Sequence, residues 1–348
     1  MKKRNETASM ISVGSPVVDM VAQVPETFLT GVEGAKGGME LVDAETLTKL
    51  QNALPSTAVR TPGGSAGNTA FAMARLGIPS RFLGMVGADG YGAFYRRTFE
   101  GLGGCAQSMR IHRELPTARC LSLVTPDGER TMRTHLGAAA ALAAAEITSD
   151  DFRGFDYAHV EGYLLFDPDL MAQVLDAARQ AGCRISLDLA SFEVVEAARG
   201  ILPELLDRYV DMVFANEEEA AAFAGTDDPT GCLEALRAHC ATVAVKRGAA
   251  GALLRNGGAT WAVPALPVAE AVDTTGAGDL WAAGFLYGLL NGRGLADCGR
   301  LGATLGAAAI TQQGAALPEA KWCRLCSEFG ADGKPPNGNN RAKPTKCR

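Results

Sequence analysis

Short apolar runs alternate with longer amphipathic stretches along most of the chain, and this rhythm constrains the fold more than any other feature. A strand that is apolar throughout must be covered on both faces, which a parallel sheet with helices on either side achieves. The runs read as buried strands are 10–13, 81–86, 158–161, 184–188, 212–215 and 242–246. The stretches read as helices are 68–76, 93–102, 169–181, 202–209, 217–224 and 232–239. Strand and helix follow one another in turn, so the expected fold is α/β, a doubly wound, mostly parallel sheet. Two segments, 16–40 and 110–134, break the rhythm with shorter alternating patterns, the second around the turn Pro126-Asp127-Gly128. They are expected to form a small β-sheet lid that covers a cleft and excludes water. Residues 1–320 read as one domain; 321–348, rich in Gly, Pro, Asn and Lys, read as a disordered basic tail.

Charge and cysteine content narrow the function classes. The chain of 348 residues carries a net charge of −6, and its last 28 residues hold seven Lys or Arg against two acids, so the body is more acidic than the whole. Without a basic face it is not expected to bind nucleic acid. Nine irregularly spaced cysteines do not make the dense framework of a small secreted protein. No apolar segment follows the basic start Met1-Lys2-Lys3-Arg4, and the most apolar stretch, 280–290, is far short of the roughly 20 residues of a membrane helix. The expectation is a soluble, cytoplasmic protein with no membrane partner.

The strongest chemical signal is Asp273-Thr274-Thr275-Gly276-Ala277-Gly278-Asp279 followed directly by an apolar helical run. Glycines at a helix start let backbone amides converge on an anion, which the helix dipole favours. Gly276, Ala277 and Gly278 are the candidate anion hole, and Asp279 can take a proton from a hydroxyl that attacks a bound phosphoryl group. The bland alternative is that Asp279 merely caps the helix. A second signal is Gly63-Gly64-Ser65-Ala66-Gly67-Asn68, where paired glycines permit close ligand approach or a hinge and Asn68 suits a vicinal diol, or simply caps the following helix. Asp19, placed at the end of a first strand 11–19, can accept sugar hydroxyls. Asn216-Glu217-Glu218-Glu219 ends a parallel strand, where open α/β sheets bind ligands; Glu219 there can hold Mg²⁺ through water, or serve as an ordinary first-turn acid.

Other patterns fail. No Gly-x-x-x-x-Gly-Lys-Ser/Thr occurs, and the loose glycine cluster at 101–106 follows a helix rather than a strand, which argues against a NAD-dependent oxidoreductase. Cys323, Cys326 and Cys347 lack a second ligand pair at zinc-like spacing, the four histidines lie apart, and no Gly-x-Ser-x-Gly elbow is present.

The stretch GGSAGNTAFAMARLG at 63–77 and DTTGAGD at 273–279 resemble the two signatures of the ribokinase (PfkB-type) carbohydrate kinase family, and the resemblance runs from residue 10 to about 318. The order Asp19, Gly-Gly-x-x-x-Asn, Asn216-x-x-Glu219 and Asp-Thr-x-Gly-Ala-Gly-Asp is that of the family. The resemblance implies a ribokinase-like fold with a β-sheet lid, ATP as phosphoryl donor and Mg²⁺ as helper. It implies Asp279 as base and Asp19, Gly63, Gly64 and Asn68 as holders of the acceptor. Asn216, Glu219 and Thr274 fall to the nucleotide side, and Lys246, Gly248 and Gly251 match its strand and turn, where the family more often has Thr or Lys before x-Gly. Segments 14–19 and 210–220 and the run Gly128-Glu129-Arg130-Thr131 are similar to the adenosine kinase branch, which adds Arg130 to the substrate side. The acceptor implied is a ribonucleoside or sugar. Ribose, fructose and 2-keto-3-deoxygluconate stay open, as does a homodimer formed through the lid. A catalytically idle sugar or nucleotide sensor of the same fold is the rival from another class.

Overall fold

The computed structural model describes residues 8–142 and 147–331. Its large sheet has nine strands in the order Ala259–Val263, Ala252–Asn256, Thr242–Lys246, Met212–Asn216, Arg184–Asp188, Tyr157–Glu161, Met10–Val13, Ser80–Gly87 and Met109–His112. All neighbours run parallel except the pairs made by Ala252–Asn256, which are antiparallel. The six strands expected from the apolar runs are all present, within a residue at their ends. Their interior residues, such as Ile11, Val160, Leu187, Val213 and Val243, are fully buried, as a sheet covered on both faces requires.

The second sheet has five strands, in the order Met39–Leu41, Arg130–His135, Ala118–Val124, Val17–Gln23 and Val59–Gly63. This is the small accessory sheet, with three corrections. Asp19 does not end the first strand: Gly14-Ser15-Pro16 interrupts it, and Asp19 sits mid-strand in the small sheet, level with Thr61 and Cys120. Residues 109–112 belong to the large sheet as an edge strand, whereas Val59–Gly63, outside the expected lid segments, joins the small one. Finally, 321–329 is not a disordered tail, because Glu319–Phe329 forms a helix that buries Trp322, Leu325 and Phe329 on one face. That spacing of three and four residues is a helical stripe, obscured in the sequence by the polar residues that follow. Residues 332–348 of the expected tail, including Cys347, lie outside the described residues.

The chain passes between the two sheets four times, after Val13, Gly63, His112 and His135. Beneath them, helices Ser65–Arg75, Ala277–Leu290 and Leu295–Ala309 cover one face of the large sheet. The longest apolar segment, Ala277–Leu290, is buried along Leu280 to Gly288 through stacking of Trp281 on Phe285 and edge contacts from Phe214. Among the described residues no helix is long and apolar enough to cross a membrane.

Candidate active site

Four adjacent parallel strands end in polar residues: Glu161, Asp188, Asn216 and Lys246. Register places Asp188 beside Glu161 and Asn216 beside Lys246, so one carboxyl edge of the sheet carries a row of charge, where open α/β sheets bind ligands. Helix Ala277–Leu290 points its N-terminus at this row. Gly276 caps it with φ 73°, a left-handed conformation natural to glycine, and an added Cβ there would meet Ala315 Cβ at 2.4 Å.

Asp279 lies in the first turn. Ser65 Oγ donates to its Oδ1 at 2.7 Å and Asn68 Nδ2 to its Oδ2 at 2.8 Å, while Thr69 Oγ1 donates to its backbone carbonyl at 3.0 Å. Burial, then the Asp188 carboxylate, push Asp279 up to about 6 against the pull of those donors and of Lys246. Asn68, expected on a sugar diol, therefore has its amide on the candidate base. Of the expected anion hole, Ala277 N is engaged by Thr274 O at 3.1 Å, whereas Gly278 and Asp279 have first-turn amides with no acceptor inside the helix.

Lys246 Nζ lies 3.0 Å from where a Cβ on Gly278 would stand and bonds Asp188 Oδ2 at 2.9 Å. Burial alone would lower its pKa, but Asp188 and Glu219 overcome this and keep the ammonium charged. Glu219 is buried and closes a reciprocal cap with Asn216: its Oε2 accepts from Asn216 N and its Oε1 from Asn216 Nδ2, both at 2.8 Å. Burial raises its pKa despite Lys246. Asp188, Glu219 and Asp279 thus face a single ammonium. No group of three acidic, histidine or cysteine side chains among the described residues is arranged to cage a metal. Glu219, with both carboxylate oxygens on Asn216, would meet a Mg²⁺ ion only through that ion's waters.

The small sheet reaches over this row. Asp19 is pushed up to about 7 by burial, with Arg130 opposing and Asp279 adding to the rise. Arg130 is committed to the glycine-rich loop: its guanidinium bonds the Asp273 carboxylate, Thr275 Oγ1 at 2.7 Å and Ser122 Oγ at 3.1 Å. Although burial opposes it, Asp273 stays below the usual carboxylate range because Gly314 N and Thr275 N donate to it. Gly63 offers its carbonyl to Tyr95 Oη at 2.9 Å, and its Cα leaves only 2.2 Å from a would-be Cβ to Asp19 Oδ2. Gly248 and Gly251 form the turn after Lys246, where Gly251 presses against the carbonyl of Val263.

Glu161, Asp188, Ser65, Thr275 and Tyr163 are the site residues that sequence reasoning missed. Glu161 and Asp188 share a legible signal, an acid closing an otherwise apolar strand. Tyr163, just past Glu161, is raised by partial burial and by the Asp279 and Glu161 carboxylates. It joins Phe166 and Phe192, exposed by 42%, 63% and 41%, on the turn Gly162–Phe166 and the helix Phe192–Ala197 that packs against it.

Residues 39–322 match the model of the pfkB family carbohydrate kinases. The chain belongs to that family. As a pfkB-family sugar/nucleoside kinase it has the ribokinase-like α/β fold. A probable sugar kinase from Rhizobium etli is 34% identical with a TM-score of 0.80, covering 93% of this chain and 99% of its own. An adenosine kinase from Sinorhizobium meliloti is 32% identical with a TM-score of 0.80 and the same coverage. An ATP-dependent ribose-1-phosphate kinase from Halopiger xanaduensis is 32% identical over 64% of this chain and 72% of its own. ATP use is consistent with the family.

Proposed function

We propose that this kinase moves the γ-phosphoryl of ATP to a primary hydroxyl of a ribosyl-type acceptor. The observation that carries the reading is Asp279: a carboxylate at the amide-bearing N-terminus of a buried helix, held by two donors, with a pKa of about 6. In the step, the acceptor oxygen bonds to the γ-phosphorus as the bond to the bridging oxygen breaks and ADP leaves. The hydroxyl proton passes to Asp279. Ser65 and Asn68 fix the carboxylate's direction, and the Gly276–Gly278 turn with Lys246 meets the developing phosphoryl charge. Asp19, Gly63 and Gly64 face the acceptor, with Arg130 joining lid to loop; Thr274, Asn216, Gly248 and Gly251 lie toward the nucleotide. Glu219 would hold hydrated Mg²⁺, which supplies charge neutralisation of the phosphates.

Tyr163, Phe166 and Phe192 favour an acceptor that carries a flat ring, because exposed aromatic faces beside a charged row suit stacking. A ribonucleoside is therefore preferred over ribose, fructose or 2-keto-3-deoxygluconate, in keeping with the adenosine kinase among its relatives. ATP as donor and the irregular spacing of the cysteines support a cytoplasmic setting, and a homodimer would form through the small sheet. A coupled assay of ADP release over these five acceptor types is the test. Turnover highest with a nucleoside is expected; binding without turnover across the panel would identify a sensor instead. Asp279→Ala is expected to lower kcat by about 10²–10⁴. Near-full turnover in that variant removes Asp279 from the base role.

A further inference from the structure

Glu161 is 1% exposed, and both of its carboxylate oxygens are taken by backbone amides of other elements. Ser15 N donates to Oε1 at 2.8 Å and Ala66 N to Oε2 at 3.0 Å. Ser15 stands in the first passage from the large sheet to the small one. Ala66 is the second residue of helix Ser65–Arg75, reached directly after the return passage at Gly63-Gly64. The two passages touch: a Cβ on Gly64, which has φ 85°, would lie 2.1 Å from the carbonyl of Ser15. The helix has no cap of its own, because Gly64 carries no side chain to accept from the first turn. Glu161, from the end of strand Tyr157–Glu161, supplies that missing acceptor and its charge complements the helix dipole.

We infer that Glu161 is a positioning residue for phosphoryl transfer: one carboxylate pins both the first passage into the small sheet and the helix whose Ser65 and Asn68 hold Asp279. Acceptor-side Asp19 follows the first passage by a few residues, and the base hangs from the second element. Their separation is therefore set through a common anchor in the rigid sheet. The inference rests on the phosphotransfer reading, but its structural readout does not.

Glu161→Gln keeps the size and can accept from only one of the two amides, while Glu161→Asp keeps the charge and withdraws its reach. In both, amide exchange at Ser15 and Ala66 is expected to rise at least about tenfold, with Val213 to Ala215 in the middle of the sheet unchanged. With ATP and the best acceptor, kcat is expected to fall about 10–100-fold while KM for ATP stays within about twofold, the pattern of a misplaced base and acceptor. Unchanged exchange at the two amides, or full kcat in a folded variant, overturns the role. So does a uniform rise in exchange with activity falling only as the folded fraction does. If neither variant folds, exchange in the unaltered chain decides: Ser15 and Ala66 opening together with one denaturant dependence supports the anchor, and independent opening overturns it. Should no acceptor be phosphorylated by the unaltered enzyme, the functional reading fails while the exchange result still judges the anchor.

Discussion

A carboxylate in the first turn of a helix is ordinarily kept ionised by the dipole and the nearby amides. Asp279 departs from this because burial and the Asp188 carboxylate act against it more strongly than Ser65, Asn68 and Lys246 act for it. The result suits a base near neutrality, charged enough to accept a proton and basic enough to hold it. Activity should follow: kcat/KM is expected to drop about tenfold per pH unit below about 6, as the free enzyme's base is protonated. A pH profile at low acceptor concentration measures this, and an acid limb near 4 would assign the titration to an ordinary carboxylate. Asp279 itself was legible from its glycine-rich context. Its partner Ser65 and its electrostatic neighbour Asp188 were not, because they come from segments distant in sequence, joined only when strand ends align.

Among the elements, Ala277–Leu290 is legible from its apolar run and glycine start, whereas residues 321–329 of the helix Glu319–Phe329 fall in the segment whose composition reads as a tail. Composition averaged over a polar terminus hid three apolar residues at helical spacing. Their burial makes this helix part of the core: Phe329 is 4% exposed and its ring lies 5.5 Å from that of Tyr287. Phe329→Ala is expected to lower stability by about 3 kcal/mol, read as a shift in denaturant midpoint with unchanged slope. A shift near zero would make the helix an appendage. The small sheet is tied to the glycine-rich loop through Arg130 and Asp273, and we propose that it closes over bound acceptor about Gly63-Gly64. Adding acceptor with a nonhydrolysable ATP analogue should reduce the radius of gyration in small-angle scattering and protect the small sheet from protease. No change in either measure would argue for a fixed cover.

Over the whole molecule, the candidate active site is assembled against stability. Asp19 and Glu161 at about 7 and Asp279 at about 6 all have folded pKa values above their unfolded ones, with burial as the first cause. Their stabilising contribution is complete below the unfolded carboxylate range and is lost as pH rises through 6 to 7. Buried His159, held down to about 4, works in the other direction and costs stability as pH falls below its unfolded value of 6.5. Three such acids outweigh one histidine, so the melting temperature is expected to fall between pH 5 and 8, and thermal melts across that range check the sign. A rise would mean that these carboxylates are better solvated than their burial implies. The sequence alone determined the alternation of strands and helices, the glycine-rich start of helix Ala277–Leu290 and the class of chemistry, because apolar periodicity and a glycine-rich helix start are local in the chain. Only the tertiary structure decided which side chains surround Asp279, that Asp19 sits on the small sheet, and that Glu161 joins the two passages. Those facts depend on register between strands far apart in sequence, which no local pattern encodes.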